Sequence, residues 1–251
     1  MSYTLQQLNY SVPFSGAEYV DTSKLTPLFP QPTPDPESDT LGQWEFGPDS
    51  ASLVDLVNGR TLTPLSAGNP PAYGTNYLKP VAGGLYGLVS NIADAGGPWT
   101  HWAVVQYKTA GGYLFGTADG TAANGGAGLW INPSNGQLVS TVRGFSSGIA
   151  KVPTGVSDGD WIFVALAIST TGMLIYIGSS DVVPVTGTYI APTTTKYHGV
   201  GDCYHAGSNF YSATIEHASH GIHASAKSQS DLDGIYSRVK ARLSERGISV
   251  Y

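Results

Sequence analysis

Two segments constrain the fold of this chain most. In each of them an apolar run is followed by a turn and then by a second apolar run. In one of them Val164, Leu166 and Ile168 repeat with a period of two before the turn Thr170–Gly172. A period of two places side chains on one face of a β-strand. In the other, Asn132–Gly136 separates two apolar runs and ends in the Asn-Gly pair typical of hairpins. Both segments predict antiparallel β-structure.

The composition extends this prediction to most of the chain. Charged residues make up 12% of the 251 residues, and 32 glycines and 16 prolines interrupt the apolar runs. Such a composition is typical of many short strands joined by tight turns. We expect roughly eleven to thirteen strands between Leu41 and Ala226, enough for two packed sheets. The predicted fold is an all-β, two-sheet antiparallel jelly-roll sandwich that occupies residues 41–226.

The period changes near the C-terminus, where apolar residues recur at steps of three and four. These residues are Leu232, Ile235, Tyr236, Val239 and Leu243. Ser230 and Asp233 resemble a capping box, and Gly247 provides a C-terminal stop. The sequence therefore predicts an amphipathic helix over residues 231–246, within a C-terminal segment 227–251 that packs on the sandwich.

Residues 1–40 differ from the rest of the chain. The proline-rich stretch Pro30–Pro36 disfavours both helix and sheet and predicts an extended linker. Ahead of it lie about ten sizeable apolar residues, too many for a solvated tail. We expect this N-terminal arm to pack against a sister subunit, another protein of a larger assembly, or its own domain.

Charge and hydropathy exclude several classes of partner. The formal net charge is -6 and no stretch is densely basic, which argues against nucleic-acid binding. No apolar run reaches membrane length and no signal sequence opens the chain, so we expect a protein made in the cytoplasm without membrane insertion. Cys203 is the one cysteine and cannot form an intrachain disulfide; we interpret it as a small buried hydrophobe.

Two motifs suggest chemistry that their surroundings do not support. Gly144–Gly148 matches G-x-S-x-G, but Ile149–Pro153 will not form the helix that a nucleophile elbow requires. A second motif spaces His217, His220 and His223 three residues apart, with His198, His205, Asp202 and Cys203 nearby in sequence. In a strand this spacing alternates faces, so we favour polar histidines within the sandwich. A transition-metal site remains the alternative.

A glycine-rich polar loop, Gly116–Gly128, is the candidate ligand site. Sugar recognition needs an aromatic face together with planar amides or carboxylates. Asp119 and Asn124 lie in this loop and Trp130 follows it on a strand, so we predict that the three lie close together. Trp99 is the alternative aromatic platform. No other cofactor is indicated, although Asp119 and backbone oxygens of this loop could hold Ca²⁺.

The order of these segments resembles the laminin-G-like, concanavalin A-like lectin and glucanase superfamily. The matching segments are Gly42–Phe46, Val54–Leu62, Asp158–Leu166, Met173–Gly178 and the helix with Ile235-Tyr236. Together they cover the chain from about Leu41 to its end. The resemblance implies a lectin-like sandwich. The superfamily's hydrolases use an E-x-D-x-x-E pattern, which none of the five glutamates here forms, so we expect no catalytic residues and no enzyme.

Three functions follow from these observations. The first is a non-enzymatic virion protein, a bacteriophage tail or capsid-surface component whose lectin-like domain binds host glycans. Its arm would contact other virion proteins or sister subunits in a homo-oligomer. The second is a free-standing carbohydrate-binding module or lectin, and the third is a glycan-cleaving enzyme. The sequence leaves open which glycan, which host, which oligomer and which part of a virion.

Overall fold

The computed structural model describes residues 35–81, 85–119, 124–146, 155–178, 181–204 and 214–251. The predicted arm therefore lies outside the described residues up to residue 34. Within the described ranges the strands are β1 Thr40–Glu45, β2 Thr63–Pro64, β3 Ala72–Gly74, β4 Tyr77–Lys79, β5 Leu88–Ala93, β6 Trp99–Gln106, β7 Gly112–Gly116, β8 Ala127–Ile131, β9 Leu138–Val142, β10 Trp161–Ile168, β11 Gly172–Ile177, β12 Asp181–Thr186, β13 Tyr197–Val200 and β14 His217–His223. A short 3₁₀ helix spans Ser50–Leu53, and one α-helix, α1, spans Gln229–Glu245. The predicted all-β fold with a C-terminal helix is confirmed.

The strands form two antiparallel sheets. An eight-stranded sheet has the order β12-β11-β10-β6-β14-β4-β3, with β1 also paired to β14. A six-stranded sheet has the order β2-β5-β13-β7-β8-β9. The two predicted hairpins are present as β10–β11 and β8–β9. This arrangement confirms the two-sheet sandwich.

The core between the sheets depends on the alternation that the sequence shows. In β10, Ile162, Val164, Leu166 and Ile168 all face this core and are fully buried. The facing residues of the six-stranded sheet include Leu114, Phe115, Leu129, Ile131 and Leu138. Burial of large aliphatic side chains is the main favourable term in such a fold.

The other face of the eight-stranded sheet is covered by α1. Phe163 and Ala165 of β10, together with Trp102 and Val104 of β6, pack in one cluster with the helix. The apolar face of the helix consists of the predicted residues Leu232, Ile235, Tyr236, Val239 and Leu243. The strand β10 is therefore buried on both faces, because the helix covers the face that the sheet core does not.

The helix begins two residues earlier than predicted. Ser228, not Ser230, is the N-cap: its hydroxyl accepts from the amide of Asp231 at 3.2 Å, and the Asp231 carboxylate accepts from the amide of Ser228 at 3.0 Å. The predicted cap residue Asp233 instead accepts a hydrogen bond from the Tyr176 hydroxyl. Gly247, at φ 77°, ends the helix as predicted.

Two glutamates fasten the helix to β1 and the segment before it. Glu37 accepts from Arg238 and Arg242, at 2.8 and 2.7 Å. Glu45 of β1 binds Arg242 and Arg246, at 3.3 and 2.6 Å. Both glutamates are largely buried. Glu37 belongs to the segment predicted as the arm, so contacts with the helix begin before residue 41.

The strand β14 lies in the middle of the eight-stranded sheet, between β6 and β4. All seven residues of β14 are buried. A Cβ at Gly221 would overlap the Trp102 indole, so only glycine lets this ring lie against the strand. In the part of the chain that is described, no helix is long and apolar enough to cross a membrane.

We predict that Leu243→Ala lowers the free energy of unfolding by about 2–4 kcal/mol, because this helix residue is fully buried against the eight-stranded sheet. Urea denaturation of the purified chain measures this change. The matched control is Ser244→Ala on the exposed face, where the change should stay within about 0.5 kcal/mol. Equal effects of the two substitutions would show that the helix does not depend on this face.

Candidate functional site

Four polar residues meet at one end of the six-stranded sheet because its strands are antiparallel. At this end of the sheet lie the end of β7, the start of β8, the end of β9 and the start of β13. These ends lead into Asp119, Asn124, Arg143 and Lys196 respectively. Asp119 and Asn124 come from the β7–β8 loop, whereas Arg143 follows β9 and Lys196 precedes β13, so three connections bring the four residues together.

Asp119 is at the centre of this group. Its Oδ2 accepts from Asn124 Nδ2 at 2.8 Å and from Lys196 Nζ. Arg143 Nη2 donates to the Asp119 carbonyl oxygen at 3.3 Å. Lys196 Nζ also lies 5.1 Å from the centre of the Tyr204 ring, a cation–π contact. We call Asp119, Asn124, Arg143, Lys196 and Tyr204 the Asp119 cluster.

Trp130 lies on the outer face of the same sheet. Its neighbours Leu129 and Ile131 point into the core, whereas the indole is partly exposed and donates to Thr141 Oγ1 at 3.2 Å. Arg143 follows two residues after Thr141, so its side chain starts on the face that carries Trp130. The structure thus places Asp119 beside Asn124, as predicted, with Trp130 on the adjoining sheet face.

Trp99 does not provide the alternative platform that the sequence suggested. Its indole is 3% exposed and lies in the core between the sheets. It packs edge-on against His198 and Tyr189, with ring centres 4.7 and 6.1 Å away, and Nε1 donates to Asp94 at 3.3 Å. A ring buried to this extent has no exposed face on which a sugar could stack.

The residues available do not favour the predicted calcium site. The Asp119 carboxylate already receives the Lys196 ammonium and the Asn124 amide on one oxygen. Within the described ranges, no group of three or more His, Cys, Asp or Glu side chains is arranged to hold a metal ion. Calcium prefers several carboxylate and carbonyl oxygens without a competing cation.

The buried histidines form a second polar group, between the sheets. His220 Nδ1 lies 3.0 Å from His101 Nε2, and His220 Nε2 lies 2.8 Å from His217 Nδ1. The ring of His198, from the six-stranded sheet, is centred 5.7 Å from that of His101. We call His198, His101, His220 and His217 the imidazole chain; His205 lies outside the described residues.

The sequence spacing misplaced these histidines. Alternation predicts that His217 and His220 face opposite sides, but the register of β14 against β6 shifts between His217 and Ser219, so both point inward. His223 faces the other way, and its Nε2 accepts from Trp102 Nε1 at 3.0 Å. The sequence did not group His101 with the other histidines.

Burial controls the charge of the imidazole chain. Desolvation lowers the pKa of His217 to about 3 and that of His198 to about 4, although the nearby Asp94 carboxylate acts in the opposite direction on His198. Burial and the neighbouring rings hold the pKa values of His101 and His220 well below their ordinary value. All four rings are therefore neutral at pH 7.

Neither Glu216 nor the G-x-S-x-G segment is placed for catalysis in the described part of the chain. Glu216 forms ion pairs with Lys79 and Lys108, at 3.4 and 3.7 Å. Both partners of Glu216 are lysines, so it belongs to an ion-pair network and not to a pair of carboxylates. In the G-x-S-x-G segment, Phe145 packs against the core between the sheets. Residues 147–150 lie outside the described residues.

Comparison with known proteins relates the chain to solved structures only. No protein-family model matches the sequence, and no curated protein matches it. The chain is similar to a Trypanosoma rangeli sialidase in complex with a difluoro-KDN compound, with 13% identity over 84% of this chain and 35% of that one, and a TM-score of 0.60. It is also similar to the receptor binding domain of botulinum neurotoxin D, with 14% identity over 79% of this chain and 52% of that one, and a TM-score of 0.53. The chain thus spans about a third of the sialidase and half of the toxin domain, and these similarities show the fold.

We predict that calcium leaves the melting temperature of the chain unchanged, because Lys196 already neutralises the Asp119 carboxylate. Thermal melts with millimolar calcium and with EDTA compare the two conditions. A calcium-dependent rise in melting temperature that Asp119→Asn abolishes would contradict this expectation and restore the metal site.

Proposed function

We propose that this domain is a non-enzymatic glycan-binding module. One observation carries the proposal: the Asp119 cluster gathers a carboxylate, an amide, a guanidinium and an ammonium at one end of the sheet whose outer face carries the partly exposed Trp130. A sugar hydroxyl both donates and accepts hydrogen bonds, so it suits an edge that offers both kinds of group. An aromatic ring beside them suits the C–H face of a sugar.

The similar structures support this proposal at the level of fold. One is described as a toxin's receptor binding domain, and other T. rangeli sialidase structures contain sialic acid or the inhibitor DANA. Sandwiches of this kind therefore occur in proteins that recognise receptors and acidic sugars. Because the chain spans only part of each, its own ligand rests on the Asp119 cluster.

The absence of enzymatic activity is part of the proposal. None of the five glutamates forms the paired pattern of the superfamily's hydrolases, and Glu216 is held by two lysines. A glycan-cleaving enzyme is the last of our three alternatives. Release of reducing sugar from a panel of polysaccharides by the purified chain would favour it.

The setting that we propose is the surface of a virion, in a bacteriophage tail or capsid protein made in the host cytoplasm. Its support is the N-terminal sequence, in which an apolar segment precedes the proline-rich stretch Pro30–Pro36. Such a segment can reach a sister subunit or another virion protein, giving a homo-oligomer. A free-standing lectin, the second alternative, needs no such attachment.

We predict that Asp119→Ala combined with Trp130→Ala reduces glycan binding at least tenfold, because it removes the central carboxylate and the aromatic face. A glycan array identifies the ligand, and calorimetry then measures the affinity. Glu245→Ala, an exposed change on the helix, is the control and should bind as the wild type does. Unchanged binding by a double variant with a normal thermal melt would remove this site.

We predict that deleting residues 1–34 abolishes self-association while preserving the cooperative melt. The deletion keeps Glu37, whose carboxylate binds Arg238 and Arg242. Size-exclusion chromatography with light scattering gives the mass of both chains. An oligomer that persists after the deletion, or a full-length chain that is monomeric, would contradict the proposed role of the arm.

A further inference from the structure

We propose that the imidazole chain makes this sandwich an acid-sensitive switch, in which the two sheets stay packed while the four rings are neutral and separate in mild acid. The chain occupies the space between the sheets: His101, His217 and His220 belong to the eight-stranded sheet, and His198 belongs to the six-stranded sheet. This inference goes beyond glycan binding and does not depend on it.

The hydrogen bonds between the rings leave no place for an extra proton on His220. A neutral imidazole has one donor and one acceptor, so His220 must donate to one neighbour and accept from the other. All N–H groups of the three linked rings therefore run in one direction, from His101 to His217 or the reverse. An added proton at His220 would set two N–H groups against each other or force a neighbouring ring to change its tautomer.

The ends of the chain are equally constrained. His101 Nδ1 and His217 Nε2 are buried, and no hydrogen-bond partner is found for either among the described residues. One end therefore carries an N–H without an acceptor, and the other a lone pair without a donor. Among the described residues no carboxylate acts on either end, so a cation formed there would be uncompensated, and burying such a charge is costly.

The surroundings of the chain are mostly aromatic. The His101 ring stacks on the Phe115 ring with 4.1 Å between ring centres, and the ring centres of His220 and Phe46 are 5.8 Å apart. The charged group that acts on the chain is Asp94, near His198 at the end of β5. Asp94 already accepts from Trp99, Thr117 and Tyr189.

Other ionisable groups on the packed elements point elsewhere. On β1, Glu45 binds Arg242 and Arg246 on the helix side. Next to β14, Glu216 binds Lys79 and Lys108. After β13, the Cys203 thiol donates to the Leu88 carbonyl oxygen, and burial beside Asp202 raises its pKa, which keeps it neutral. Protonation of the chain is therefore opposed by burial with little compensation.

The direction of the pH effect follows from linkage. An unfolded histidine takes up a proton near pH 6.5, whereas burial holds the pKa of His198 at about 4 and that of His217 at about 3. Above about pH 7 the rings are neutral in both states and have no effect. As the pH falls below about 6.5 the unfolded state binds more protons, and stability is lost progressively towards pH 4.

Urea denaturation of the full-length chain between about pH 7.5 and pH 5.0 tests the switch. Each additional proton bound by the unfolded state raises the unfolding equilibrium constant about tenfold per pH unit. We expect a slope of at least four protons near pH 5.5, one of which comes from His223 outside the chain because burial also lowers its pKa to about 4. Four protons correspond to about ten-thousandfold per unit decrease in pH. A slope of about one proton or less would overturn the proposal.

Two variants assign the slope to the chain. His101→Phe keeps an aromatic ring on Phe115 but removes one titrating group, so the slope should fall by about one proton. Phe115→Leu alters the same contact without removing a titrating group, so it should change stability but not the slope. If His101→Phe does not fold, His217→Gln at the other end provides the same test. An unchanged slope in a folded histidine variant would assign the protons to groups outside the chain.

Discussion

The burial of β14 on both faces is the constraint on which the rest of the structure depends. β14 pairs with β6, β1 and β4, and all of its residues are buried. On one side Gly221 leaves room for Trp102, on which α1 packs. On the other side His217 and His220 enter the space between the sheets. The position of the helix and the spacing of the two sheets are therefore set by the same seven residues.

The Asp119 cluster and the imidazole chain are stabilised in opposite ways. The Asp119 cluster lies at a sheet edge, where the Asp119 carboxylate and the Lys196 ammonium compensate each other. The imidazole chain lies in the interior, where only neutral rings that hydrogen-bond to one another avoid the full desolvation penalty. The first arrangement can exchange its internal partners for a ligand, whereas the second has no such freedom. This contrast is the reason that we propose recognition at the Asp119 cluster and pH sensitivity in the core.

Sequence periodicity predicted features determined by neighbouring residues and missed those determined by distant ones. The stripe in β10 and the helical face of α1 follow from local spacing, and Asp119 and Asn124 belong to one loop. Arg143 and Lys196 were missed because they reach Asp119 only through the strand order. His101 was missed because its contact with His220 spans 119 residues and depends on a register shift that the sequence does not reveal.

A folded sandwich with this interior requires neutral rings at His101, His217 and His220 throughout the native pH range. Nitrogen-15 NMR of the imidazole side chains measures their protonation and tautomers directly in the folded protein. We predict that the three rings remain neutral from about pH 7.5 to pH 5.5, with one protonated nitrogen each and couplings across both N–H···N hydrogen bonds. Titration of any of them near pH 6.5 while the protein stays folded would contradict the account.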